Sequence, residues 1–184
     1  MQFTPEEQQF LTDLSHYTIE RYLLTNTFIP EIPEEIPEAV IPPYGVFVSV
    51  YVGTELRGCI GTFASDSALY LSVQRLTVSA AFHDTRFSPV IPGEQDQVRI
   101  EISVLGEKVP VSSPEEITVG KHGIYMEKGG RHGTLLPQVA VKNQWNARQF
   151  VEYCGRYKAG LDPDEIDSAQ LYVYEAHVFG ETVT

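Results

Sequence analysis

The chain has 184 residues and carries 25 acidic against 13 basic side chains, a formal net charge of −12. A chain of this length buries roughly 70% of the surface that it exposes when unfolded, so it can form a hydrophobic core without disulfides or metals. Hydrophobic residues make up 42% and charged residues 21% of the chain, which excludes an intrinsically disordered protein. The negative charge disfavours partners such as nucleic acids and anionic membranes, because they would be repelled.

The sequence predicts neither a secretory signal nor a membrane-spanning segment. The first residues lack the basic and apolar blocks of a signal peptide, and no uninterrupted apolar run is longer than four residues. The two cysteines, Cys59 and Cys154, are too few for a disulfide framework and are expected to be free thiols. We therefore predict a cytoplasmic protein.

The N-terminal region predicts one helix followed by an extended acidic segment. Thr4, Pro5 and Glu7 form the pattern of a capping box with proline in the first turn, and apolar residues then recur at helical spacing within residues 1–29. Residues 30–43 contain five prolines and four glutamates, which disfavour a helix and predict an exposed linker. The rest, 44–180, is expected to be the core of a single domain that spans the chain.

The core region mixes strand and helix patterns without a regular alternation of the two. Period-two alternation of apolar residues predicts strands, at 44–52, 56–63, 98–105 and 171–179. Helical spacing predicts two helices, at 69–81 and 146–160. Ser65 or Asp66 is the expected N-cap of the first, and Gly129-Gly130 predicts a hairpin turn. This order predicts an α+β fold with mainly antiparallel sheets flanked by helices.

The segment 56–63 gives the strongest indication of a functional site. On a strand, Arg57, Cys59 and Gly61 share one face. Gly58 and Gly61 weaken a strand, so they indicate a bulge or a close approach by a ligand or by backbone. The Arg57 guanidinium, roughly 6–7 Å along the strand, would favour the thiolate of Cys59, which is the reactive form of cysteine. The alternative is a small buried cysteine in a tight hairpin.

A second candidate site lies in the segment 83–87. His83 next to Asp84 offers an oriented base, and Arg86 offers a clamp for an anion. The alternative is an Asp84–Arg86 ion pair that holds the loop together, with His83 at a helix C-terminus. The sequence contains neither HExxH nor CxxC, so it defines no metal site, although a mixed Cys59–histidine site assembled in space stays open.

Several segments together resemble the AMMECR-type domain family, which bacteria and archaea carry as protein A of the AmmeMemoRadiSam system. The resemblance rests on segments in the family's order, namely Leu56–Phe63, His83–Val90, Arg99–Leu105, Gly133–Val141 with Trp145, and Lys158–Leu161. Thr85 and Ser88 stand where the family usually has prolines, and Asn146 replaces its usual aspartate after Trp145.

The resemblance implies an α+β fold of two interleaved subdomains with a cleft between them. It implies no reaction and leaves the cofactor unknown, because the activity of the family is not established. Its genomic neighbourhood implies two partners, a Memo-like protein and a radical SAM enzyme. We expect the cleft to be lined by residues from these motifs, namely Arg57, Cys59, Asp84, Arg86, Gln138 and Trp145, with Gly58, Gly61 and Phe87 as further binding residues.

Two functions stay open at this point. In the first, the protein is an enzyme or enzyme component acting on a small anionic substrate, which the two arginines bind. Cys59 then attacks as a thiolate while His83 or Asp84 assists proton transfer. In the second, the protein is a non-catalytic adaptor or substrate-presenting module for the two partners, with Phe87 and Trp145 as anchors.

Overall fold

The computed structural model describes residues 2–63 and 65–181. Its α-helices are α1 (Pro5–Thr25), α2 (Leu69–Phe82), α3 (Pro137–Lys142), α4 (Ala147–Tyr153) and α5 (Pro163–Ile166). Its strands are β1 (Gly45–Val52), β2 (Glu55–Thr62), β3 (Val98–Leu105), β4 (Val109–Val111), β5 (His122–Lys128), β6 (Arg131–Leu135) and β7 (Gln170–Gly180). Within the described ranges, no helix combines the length and the apolar character that crossing a bilayer requires.

The chain divides into two compact units, and the second interrupts the first. Unit one comprises residues 1–105 and 177–184, and unit two comprises residues 106–176. Strand pairing within each unit is antiparallel. The predicted α+β class and the interleaving of two subdomains are therefore confirmed.

Unit one contains a sheet in which β1 pairs with β2 on one side and with β3 on the other. Val46, Val48 and Val50 of β1 are fully buried in the core, as are Ile100 and Ile102 of β3. The helices α1 and α2 belong to the same core. Because side chains alternate along a strand, the odd-numbered residues of β1 and β3 lie on the opposite face of this sheet.

The two long helices of unit one begin in different ways. At α1 the predicted capping box is confirmed, since Thr4 and Glu7 each accept from the other's backbone N–H. The predicted N-cap of α2 is wrong, because α2 begins after Ala68 without a side-chain cap. Ser65 instead accepts from the Ser67 N–H, at 3.1 Å. The Ser65 hydroxyl is therefore used in a local turn before the helix begins, and it does not cap α2.

The segment 30–43 is tied to α2 by one buried side chain. Gln74 is fully buried, and its amide donates to the Glu31 carbonyl at 3.0 Å while accepting from the Glu31 N–H at 2.7 Å. The amide thus supplies both hydrogen bonds that a neighbouring backbone would supply. The proline-rich segment therefore runs over unit one as a fixed strap.

The strands of unit two also pair in antiparallel fashion: β7 lies between β4 and β5, and β6 pairs with β5. Ile124, Met126 and Val173 belong to its core. Gly129 and Gly130 have φ values of 58° and 80°, which the tight β5–β6 turn requires, so the predicted hairpin is confirmed. The strand β4 and the short helices α3 and α5 have no counterpart in the sequence prediction.

Candidate functional site

Cys59 lies on β2, at the edge of the unit-one sheet, and two side chains complete its backbone hydrogen bonding. The Cys59 N–H donates to Asp84 Oδ2 at 3.0 Å. The Cys59 carbonyl accepts from Arg86 Nη2 at 2.8 Å. Asp84 and Arg86 therefore take the place of a neighbouring strand at this residue, and they cover an edge that would otherwise be open to pairing.

Asp84 and Arg86 also bind each other through a bidentate ion pair. Arg86 Nε donates to Asp84 Oδ1 at 2.8 Å, and Arg86 Nη2 donates to Oδ2 at 2.6 Å. The hydrogen bonds from Arg86, assisted by the Cys59 N–H, lower the pKa of Asp84 to about 2. Asp84 is therefore a permanent anion at neutral pH rather than a proton acceptor. The Arg86 guanidinium also lies 5.3 Å from the centre of the Phe87 ring.

His83 has a different partner from its sequence neighbour Asp84. It follows the last residue of α2, and its Nε2 lies 3.0 Å from the Tyr22 hydroxyl oxygen on α1. Both residues border a cavity of about 430 Å³ that α1 and α2 line together with the residues after α1. The oriented His83–Asp84 base is therefore not formed, and the loop ion pair that was its alternative is observed.

Arg57 is engaged by an acidic side chain of its own unit. Its Nη2 and Nη1 atoms donate to the two oxygens of Glu94, at 2.7 and 3.1 Å, and Nη1 also donates to the Pro89 carbonyl. Only 11% of the Arg57 side chain is exposed. The β1–β2 register shifts beside this residue, which confirms the predicted bulge. Arg57 therefore stabilises the fold around β2 and offers little surface to a ligand.

The thiol of Cys59 is half-buried and neutral at physiological pH. Burial raises its pKa above the usual value of 9.0, although a hydrogen bond from Ser49 and the charge of Arg86 act in the opposite direction. Glu101 and Asp84 add to the rise because their negative charges disfavour a thiolate. The prediction that Arg57 favours the thiolate was wrong, since Arg57 is paired with Glu94 and is not among the charges that act on this thiol.

The two glycines beside Cys59 are required by contacts within the chain. A Cβ atom on Gly58 would lie 1.9 Å from the Ala80 carbonyl oxygen of α2. A Cβ atom on Gly61 would lie 2.2 Å from the Phe47 ring on β1. The predicted close approach by backbone is therefore confirmed at Gly58, whereas at Gly61 the approaching group is an aromatic side chain, which was not predicted.

Three residues near Cys59 were not among the predicted site residues. Ser49 is the register partner of both Cys59 and Glu101, so these three side chains form one row across the sheet. Tyr51 is the next residue along β1 on the same face. Burial raises the pKa of both Glu101 and Tyr51. Alternation along β1 and β3 puts these residues on the non-core face, but only the strand register aligns them with Cys59.

Two of the predicted site residues belong to unit two. Gln138 is exposed on α3. Trp145 lies two residues before α4, and its ring is 4.5 Å from that of Tyr153, centre to centre. Tyr153 in turn lies 4.6 Å from the Tyr157 ring. The three rings form a row of which Tyr157 is the most exposed member, at 67%.

The described residues contain no group of three or more histidine, cysteine, aspartate or glutamate side chains that could hold a metal ion. In unit one, His83 contacts Tyr22, and His16 lies 2.7 Å from the Glu181 carboxylate. These histidines are therefore engaged by neighbours of their own.

Comparisons with known proteins agree with the motifs. The family model for AMMECR1 matches residues 12–179. A protein of Methanopyrus kandleri is 39% identical, covering 97% of this chain and 90% of its own length, and one of Nanoarchaeum equitans is 38% identical, covering 82% and 88%. The crystal structure of an uncharacterized protein from Pyrococcus horikoshii is 34% identical, has a TM-score of 0.88, and covers 97% of this chain and 93% of its own. The chain therefore belongs to the AMMECR1 family, as its sequence motifs predicted.

Proposed function

We propose that this AMMECR1-family protein is an enzyme, or a component of one, that binds a small anionic substrate beside Cys59. The observation that supports this function is the state of Arg86. Its guanidinium is held by Asp84 and by the Cys59 carbonyl, yet 58% of the side chain is exposed. Among the described residues, nothing accepts a hydrogen bond from Nη1. A fixed guanidinium with free donors is suited to a carboxylate or a phosphate.

Within this proposal, Arg86 binds the anion and Cys59 is the nucleophile. Arg57 has no direct part, because Glu94 neutralises it and little of it is exposed. The neutral Cys59 thiol must lose its proton during the reaction, since the thiolate is the attacking species. Asp84 does not accept that proton while Arg86 holds it as an anion.

The test is capture of an anion by the purified protein. Wild-type protein is incubated with the pooled anionic metabolites of a cell extract and examined by native mass spectrometry for bound or covalent mass. We expect Cys59→Ser to retain binding and lose any covalent adduct, and Arg86→Gln to lose binding. Arg75→Gln removes an exposed guanidinium from α2, which does not carry Arg86, and should behave as wild type. Absence of any bound or attached anion on the wild-type protein contradicts the proposal.

A second function, that of an adaptor for a Memo-like protein and a radical SAM enzyme, is supported by a different observation. The Trp145, Tyr153 and Tyr157 rings form a partly exposed row in unit two. Exposed aromatic side chains are common anchors of protein interfaces. The two partners follow from the family's genomic neighbourhood.

Pull-down with the two purified partners distinguishes the functions. An adaptor should lose partner binding in Tyr157→Ala, which removes the most exposed ring, and keep it in Cys59→Ser. An enzyme component should lose the activity of the assembled system in Cys59→Ser while its folding, measured by urea unfolding, stays intact. Full system activity in Cys59→Ser favours the adaptor.

A further inference from the structure

We propose that Glu101 is the proton acceptor for Cys59 and acts through the hydroxyl group of Ser49. This inference rests on the proposed function of Cys59 as a nucleophile, and it supplies the base that neither Asp84 nor His83 provides. Glu101 thus acts on the reacting sulfur only through the Ser49 side chain.

The first argument is the register of three strands. Ser49 on β1 lies directly opposite Cys59 on β2 and directly opposite Glu101 on β3. Side chains directly opposite each other in antiparallel strands lie on the same face, with Cβ atoms about 4.5–5.5 Å apart. The Ser49 hydroxyl therefore stands between the thiol and the carboxyl group. A side-chain hydrogen bond from Ser49 lowers the pKa of the Cys59 thiol.

The second argument is that Glu101 is available. It is half-buried on the sheet, and no described cation forms an ion pair with its carboxyl group. Asp84, in contrast, is fixed by Arg86 and by the Cys59 N–H. Burial raises the pKa of Glu101 above its usual value of 4.5, which makes it a stronger proton acceptor than an exposed glutamate.

The charged groups around the row are few. Arg86, Glu101 and Asp84 act on the thiol, and the Tyr51 phenol feels the charges of Glu101 and Cys59. Arg99 is two residues before Glu101 on β3, but its guanidinium donates to backbone carbonyls. No cation therefore pairs with Glu101 in the described part of unit one.

The proton transfer is balanced as follows. The proton on Cys59 Sγ moves to Ser49 Oγ while the Ser49 hydroxyl proton moves to a carboxylate oxygen of Glu101. The electron pair stays on sulfur, so a neutral thiol and a carboxylate become a thiolate and a neutral carboxylic acid. The net charge of the row does not change, and the negative charge that repels a thiolate is removed as the thiolate forms.

The test is the pH dependence of Cys59 alkylation by iodoacetamide, followed by peptide mass mapping. In this reaction the thiolate forms a carbon–sulfur bond and iodide leaves. For wild-type protein we expect two inflections in the logarithm of the rate, because two interacting groups titrate together. In Glu101→Gln we expect only the inflection of the Cys59 thiol, at a lower pH than in the wild-type protein. Alkylation by iodoacetamide is slow compared with proton transfer, so its rate follows the fraction of thiolate at equilibrium, and that fraction rises when the negative charge of Glu101 is removed. At pH 8 this variant should therefore react about two- to twentyfold faster, since a charge roughly 9 Å away at an effective dielectric constant of about 20–80 changes an acid dissociation constant by that factor.

Three further variants make the result specific. Ser49→Ala should shift the thiol pKa in the opposite direction and slow alkylation, because the thiolate loses a hydrogen bond. Glu101→Asp should restore two inflections. Glu107→Gln removes an exposed carboxylate and should match wild type.

Superimposed profiles of wild type and Glu101→Gln, with both proteins folded by circular dichroism, overturn the inference. The outcome is independent of any substrate. If the profile of Glu101→Gln is shifted while Cys59→Ser keeps full system activity, the coupling of Glu101 to Cys59 is supported. In that case only the proposed function of Cys59 as a nucleophile is contradicted.

Discussion

The Asp84 carboxylate accepts a hydrogen bond of 3.0 Å from the backbone N–H of Cys59, a residue 25 positions earlier in the chain. Arg86 completes the arrangement by donating to the Cys59 carbonyl. A segment after α2 thereby fixes the backbone of the edge strand β2 at the residue that carries the thiol. The candidate site is consequently rigid on this side, and its stability depends on charged side chains.

The first prediction concerns Asp84→Asn. Asp84 is almost completely buried, with 2% of its side chain exposed, and its pKa falls from 3.8 to about 2 on folding. A lowered pKa stabilises the fold above pH 3.8, and that stabilisation is lost as pH falls through about 2. We expect the variant to lose about 2 kcal/mol of unfolding free energy at neutral pH.

Urea unfolding at a series of pH values measures this effect. The difference between wild type and Asp84→Asn should shrink steadily as pH falls from 3.8 towards 2. Asp66→Asn changes an exposed aspartate and serves as the control. A difference that is constant over this range would show that the carboxylate charge is not what stabilises β2.

The second prediction compares the two glycines of β2. Gly58→Ala would place a Cβ atom against the Ala80 carbonyl oxygen, which is backbone and cannot move without shifting α2. Gly61→Ala would place it against the Phe47 ring, which is a side chain. Each variant should lose about 1–3 kcal/mol or more of unfolding free energy, because overpacking strains a dense core.

A smaller residue at position 47 distinguishes the clash in Gly61→Ala from the clash in Gly58→Ala. Phe47→Leu should recover part of the stability lost in Gly61→Ala, since the clash is with the ring. It should recover none of the loss in Gly58→Ala. Equal recovery of both variants in urea unfolding would contradict the contacts described for β2.

The third prediction distinguishes the two arginines by their effect on the Cys59 thiol. The charge of Arg86 lowers the pKa of this thiol, against the stronger effect of burial. Arg86→Gln should therefore raise that pKa and slow alkylation by iodoacetamide below the thiol pKa. Arg57→Gln removes the same charge from β2 and should leave the rate unchanged, because Arg57 is paired with Glu94. A slower rate in both variants would contradict this division of roles.

The fourth prediction concerns the two cysteines. Cys154 is fully buried in unit two, and burial raises its pKa to about 12. Cys59 is half-buried. In the native protein, iodoacetamide should therefore label Cys59 slowly and leave Cys154 unmodified, as peptide mapping would show. Both should react at similar rates in urea, and native labelling of Cys154 would contradict its placement in the core.

Local sequence patterns were sufficient for much of the fold. The capping box at Thr4, the β3 bounds and the Gly129-Gly130 turn depend on neighbouring residues alone, so they follow from spacing and residue type. The family resemblance, which the AMMECR1 match confirms, also lies in the sequence. Short elements such as β4 could not be predicted in this way, because its three residues are too few to show a periodicity.

The sequence by itself determined that Cys59 lies on a strand between two glycines, with Arg57 two residues before it. Only the tertiary structure decided which charges act on it. Arg57 is near in sequence but is paired with Glu94. Glu101 and Ser49 come from other strands, and they are aligned with Cys59 through the register of β1, β2 and β3, while Asp84 and Arg86 reach it from the segment after α2. A pKa depends on burial and on distances through space, and neither can be read from positions along the chain.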